Sequence, residues 1–149
     1  MKAIKLILIF TLAINIYSCK DKKEEVKTPV VEQAKAESDK LEILDFHTAH
    51  RCKACISIEA STRETIKKYF SDDVNAGKLV FKLINADDAE NEKIVDDYGA
   101  YGTSLFLNLI KDGKETHTDL TNFAFKKEAN KEVFMSELKS KIESELNKI

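Results

Sequence analysis

The chain has 149 residues, with 24 basic and 26 acidic side chains and a formal net charge of −2 at neutral pH. Hydrophobic residues make up 43% and charged residues 34%, the balance of a soluble globular class. No long basic stripe runs through it, so nucleic acid is not an expected partner.

The first 18 residues have the order of a signal peptide. Lys2 and Lys5 supply positive charge, Leu6 to Ile16 is an apolar run broken by Thr11 and Asn15, and Ser18 precedes Cys19. The run is too short for a comfortable membrane span, which needs about 20 residues. The segment resembles a bacterial lipoprotein signal, and that resemblance implies cleavage before Cys19 and acylation of it. Such an anchor would hold the chain to a membrane. Losing Lys2 and Lys5 leaves 22 basic against 26 acidic side chains, a net charge of −4. Residues 19–40 read as a charged tether. Six lysines and six acids fill positions 20–40, with too little apolar surface to fold alone. As a flexible coil this tether would reach roughly 25 Å.

Residues 41–149 read as a single domain with the order β-α-β-α-β-β-α. Leu41 to Phe46 is short and mostly apolar, like a buried strand. From Cys52, the residues Cys55, Ile58, Thr62, Ile66, Tyr69 and Phe70 recur at three- and four-residue steps, the inward face of a helix. Asn75-Ala76-Gly77 breaks the chain before a second strand at Leu79–Ile84. Asn85 to Asp88 is a turn whose acids suit a helix start. Ile94, Val95 and Tyr98 form the apolar face of that helix, and Gly99 can cap it. Thr103 to Ile110 is a third strand. Asp112-Gly113 predicts a hairpin turn into a fourth strand at Lys114–Leu120. Asn122 to Phe125 reads as a loop carrying two aromatics, Phe123 and Phe125, suited to docking a partner. The last helix runs from about Glu128 to Asn147, with Phe134, Leu138, Ile142 and Leu146 as its buried stripe. The expected architecture is α/β, a central mixed sheet flanked by helices on both faces.

Cys52-Lys53-Ala54-Cys55 falls where strand gives way to helix. A helix N-terminus offers unsatisfied N–H groups and partial positive charge, and both stabilise a thiolate. Arg51, Lys53 and His50 add charge nearby. Cys52 is expected to be the exposed nucleophile. Cys55, one turn inside, would be the more buried resolving thiol. The spacing also serves zinc sites and inert structural disulfides, but the third cysteine is Cys19, and a strand before with a β-α-β continuation favours the redox reading. His47 and His50 make the alternative concrete. With Cys52 and Cys55 they form His-x-x-His-x-Cys-x-x-Cys, a donor set suited to zinc, copper or arsenic(III). Otherwise they are polar loop residues that tune the thiolate. No flavin or nicotinamide motif is present, so the disulfide itself is the expected redox group and a partner protein the expected second electron carrier.

Leu44-Asp45-Phe46, Cys52-Lys53-Ala54-Cys55, Leu83-Ile84-Asn85-Ala86-Asp87 and Tyr98 to Leu105 together resemble the thioredoxin superfamily in order and spacing. The resemblance covers residues 41 to about 148 and implies a thioredoxin-like three-layer sandwich. Phe46 to Cys52, Gly102-Thr103-Ser104-Leu105 and Leu120 to Phe125, with the lipoprotein start, resemble the ArsF-type proteins. Those are described as subunits of a nitrophenyl-compound nitroreductase linked to aromatic arsenicals. The resemblance implies a lipid-anchored oxidoreductase in the bacterial cell envelope, facing the periplasm or the cell surface. It also sets Asp45 at the place of a buried acid that serves the resolving thiol, which needs a raised pKa; a partly exposed strand-end Asp is the other reading. The superfamily's Trp-Cys-Gly-Pro-Cys is absent, one residue more separates Asp45 from Cys52, and its cis-proline falls on Ser104. A cis bond before a residue other than proline costs about 2.5–4 kcal/mol. A trans Thr103–Ser104 bond is therefore expected, or a strained cis one, with a hydroxyl facing the dithiol in place of a ring.

Overall fold

The computed structural model describes residues 38–149. The signal segment, Cys19 and most of the tether lie outside the described residues. The remaining tether residues belong to the fold: Asp39 Oδ1 accepts a 2.9 Å hydrogen bond from the Asp112 amide, and Lys40 opens the first strand.

The elements are β1 (Lys40–His47), α1 (Lys53–Tyr69), α2 (Ser71–Asn75), β2 (Leu79–Asn85), a 3-10 turn (Ala89–Asn91), α3 (Glu92–Tyr98), β3 (Ser104–Lys111), β4 (Lys114–Asp119), α4 (Thr121–Lys127) and α5 (Lys131–Leu146). The strands form one mixed sheet in the order β2-β1-β3-β4. β1 runs parallel to β2 and antiparallel to β3, and β3 pairs antiparallel with β4. This is an α/β domain.

Burial follows position in the sheet. The central strands β1 and β3 each carry six consecutive buried residues, as strands covered on both faces do. Edge strand β4 is almost wholly exposed, and its Lys114, Glu115, His117 and Asp119 discourage edge-to-edge pairing. Alternation along β1 sends Leu41 and Ile43 into a core with Ile58, Ile66, Leu105, Leu107, Phe134, Leu138 and Ile142. It sends Leu44 and Phe46 to the other face, against Val95, Ala100 and Phe106. Helices α1, α4 and α5 thus cover one face and α3 the other. Each fully buried Leu, Ile or Phe contributes roughly 1.5–3 kcal/mol.

Several local expectations need correction. Tyr69 is 38% exposed; its ring meets the ammonium groups of Lys68 and Lys139 instead of the core. The chain turns once more into α2 before the break at Gly77. Residues 121–127 are the helix α4, not a loop. The final helix starts at Lys131 because the Asn130 side chain caps it by accepting from the Val133 amide at 3.2 Å. Asp112 and Gly113 both adopt positive φ, as a tight two-residue hairpin turn requires. Gly99 ends α3 in the left-handed region at φ 60°, where a side chain would be strained. Among the described residues no helix is long and apolar enough to cross a membrane.

Candidate functional site

Cys52 is the N-cap of α1, with extended backbone. Its Sγ accepts a 3.1 Å hydrogen bond from the Cys55 amide, and it is joined to Cys55 by a disulfide with 5.1 Å between the Cα atoms. No acidic residue occupies the first turn of this 17-residue helix, so nothing there opposes its positive end. Cys52 is exposed and Cys55 only 6% exposed. The two sulfurs therefore differ in access as an attacking and a resolving thiol must.

Asp45 is wholly buried. It shares the parity of Leu41 and Ile43 on β1, which pack beneath α1, and its strand neighbours are Leu83 and Leu105. Neither carboxyl oxygen has a hydrogen-bond partner. Burial, and then the negative charge of Glu59, push its pKa up to about 7, against the opposing pull of Arg51 and Arg63. The partly exposed strand-end reading is thereby overturned. The extra residue before Cys52 is accommodated in the loop and leaves Asp45 inside.

That loop is tied down from outside. The Ala49 amide donates to Asp87 Oδ2 at 2.7 Å, and Thr48 Oγ1 donates to the His50 carbonyl at 3.1 Å. On the other side, Ser57 Oγ donates to the Glu128 carbonyl at 3.2 Å, which fastens the first turns of α1 to the end of α4. Ser104 pairs with Phe46 at the end of β1 from which the dithiol loop leaves, so the Gly102-Thr103-Ser104 segment lies at the same end of the sheet. Ser104 Oγ donates to the Gly102 carbonyl at 3.2 Å. The Thr103–Ser104 bond is trans, there being no cis peptide among the described residues.

The remaining candidates separate. Phe123 is half-buried and stacks on Phe134 with ring centroids 5.3 Å apart, so it serves the core. Phe125, on the same helix, is 43% exposed. His47 Nδ1 lies 3.1 Å from the Thr48 carbonyl, and His50 is exposed. Among the described residues no three His, Cys, Asp or Glu side chains are placed to hold a metal ion together, so His47, His50, Cys52 and Cys55 do not form such a group while the disulfide is closed. Tyr98 packs against Phe46 and Phe106 and stacks on His117, away from the dithiol.

Glu59 is a functional candidate that the folded structure brings forward. Its carboxylate accepts from Arg51 Nη1 at 2.5 Å and from Arg63 Nε at 2.6 Å. Those bonds and charges hold its pKa below the usual carboxylate range although burial works the other way. The Glu59/Arg63 spacing of four is visible in the sequence. The link back to Arg51 depends on how the loop folds onto α1.

No family model matches the chain, and no curated protein matches it. A solved structure titled "Structure of a malarial protein" is similar over 59% of this chain and 94% of that one, at 16% identity and a TM-score of 0.38. A likeness at that score supports no assignment of fold family or function.

Proposed function

We propose that this chain is a thioredoxin-like thiol–disulfide oxidoreductase of the bacterial cell envelope, tethered through acylated Cys19 and exchanging electrons with a partner protein. An ArsF-like subunit of a nitrophenyl-compound nitroreductase system is the finer form of this proposal, carried by the sequence resemblance alone. The observation that carries the redox reading is the asymmetry at the tip of α1. Cys52 is open to a partner, Cys55 is sealed behind it, and a bare acid titrating near neutrality lies under the same helix.

The chemistry runs as two displacements. In the reduced chain, the Cys52 thiolate attacks one sulfur of a partner's disulfide. A Cys52–partner bond forms as the partner's own bond breaks, and the departing sulfur takes up a proton. Cys55 gives its proton to the Asp45 carboxylate and attacks Cys52 Sγ. The Cys52–Cys55 bond closes, and the partner's second sulfur leaves and is protonated. Two electrons pass to the partner; a partner dithiol drives the reverse. Phe125 and the Thr103–Ser104 segment would line the docking site.

The test is a Cys55→Ser variant of the full chain together with the reduction potential of the wild-type pair. A mixed disulfide on Cys52 and a potential well above about −300 mV are expected. A pair more reducing than that, with no captured partner, would mark the bond as structural and sink the reading.

A further inference from the structure

Two carboxylates and two guanidinium groups influence one another around the first turns of α1, and they pair unequally. Arg51 and Arg63 both bond to Glu59. Asp45, the more deeply buried acid, receives neither, and both its oxygens lack a partner. Arg51 Nε and Nη2 are buried and unbonded as well, so with Nη1 held on Glu59 the remaining donors do not reach Asp45. Arg63 is held over the Phe81 ring, 4.5 Å from its centroid, which keeps its Nε turned to Glu59. A buried carboxyl beside two cations would ordinarily be ionised and paired. Here a second acid, one helical turn beyond Cys55, takes both cations.

We propose that Glu59 is a positioning residue for the dithiol, engaging Arg51 and Arg63 so that Asp45 stays unpaired and free to exchange a proton with Cys55. The proposal rests on the redox reading for its consequence, but its geometry stands apart from it. The charged groups that act on Asp45 are Glu59, Arg51 and Arg63. β2 and β3 present Leu83 and Leu105 beside it, and α5 brings apolar Phe134, Leu138 and Ile142 to the core on that face. Removing the Glu59 charge takes away a repulsion and frees two cations, and both changes favour the Asp45 carboxylate. Removing Arg63 takes away one attraction and works the opposite way.

The experiment follows the Asp45 carboxyl by carbon-detected NMR in the oxidised protein, in wild type, Glu59→Gln and Arg63→Gln. Glu59→Gln is expected to move the midpoint down by about one pH unit or more, and Arg63→Gln to move it up. Arg63 is half exposed, so that variant keeps the test alive if Glu59→Gln does not fold. A role in stability alone would change unfolding without opposite shifts at Asp45. An unmoved midpoint in both variants overturns the proposal. This titration needs no thiol turnover, so it separates from failure of the redox reading. In the reduced protein, the pH profile of Cys55 resolving a Cys52 mixed disulfide should follow the same two directions. A profile unmoved by Glu59→Gln, with Asp45 shifted, would cut Asp45 out of the proton route.

Discussion

Strand β1 buries two acids three residues apart, and the fold treats them oppositely. Glu42 is 4% exposed on the α3 side of the sheet. Lys82 and Lys40 reach its carboxylate at 2.8 and 3.1 Å, and Asn108 approaches it from β3. Burial works to raise its pKa, but the bonds and charges of the two lysines outweigh that and leave it below the usual range. Asp45, on the α1 side, has no partner, and its cations are held by Glu59. Burial is common to both acids. The supply of partners separates a carboxylate that braces the sheet from one that can carry a proton.

The largest expected effect tests the reactive side. Cys55→Ser should lose turnover of a small disulfide substrate to background, with the adduct retained on Cys52 by mass spectrometry. Turnover that survives would remove the reason for an acid on that face. Asp45→Asn comes next. Asp45 titrates at about 7 folded and about 3.9 unfolded, so the folded chain holds the proton more tightly. Its stabilising share is full below the unfolded value and is lost as pH rises through the folded one. The loss is on the order of 4 kcal/mol. Urea denaturation should find variant and wild type alike near pH 4 and the variant more stable near pH 8. A difference that does not grow with pH would erase the contrast between the two acids.

Glu42→Gln should behave with the opposite sign. A lowered pKa adds stability above the ordinary carboxylate range, and that stability is lost as pH falls through the folded value. The variant should cost about 1–3 kcal/mol at neutral pH, with the gap closing in acid. Denaturation over the same pH series checks it. The smallest effect belongs to Phe125→Ala. Stability should change by no more than about 0.5 kcal/mol. Exchange with a protein partner should slow while turnover of the small disulfide holds, and stopped-flow rates for the two substrates distinguish these outcomes.

Much of this was legible in the chain, for physical reasons that differ by element. Leu41–Phe46 and the β3 run are mostly apolar stretches whose length matches central strands, so they read clearly. Asp112-Gly113 permits few conformations other than a tight turn. The helix beginning at the dithiol shows in the spacing of Ile58, Thr62 and Ile66. Asn122 to Phe125 misled because its apolar period is too short to show, and α4 is only seven residues long. Tyr69 misled because a phenol at a core-facing interval can equally reach lysines at the surface.

Local pattern in the chain is enough for the mixed α/β order, the hairpin and the placing of two cysteines at a helix tip. These depend on interactions between residues a few positions apart, or on how many apolar residues stand in a row. That Asp45 is sealed and bare, that Glu42 is braced and that Glu59 takes both arginines emerges from the folded arrangement alone. A buried charge is governed by what reaches it across the fold, and Arg51, Lys82 and Asn108 come to their acids through loop and sheet geometry.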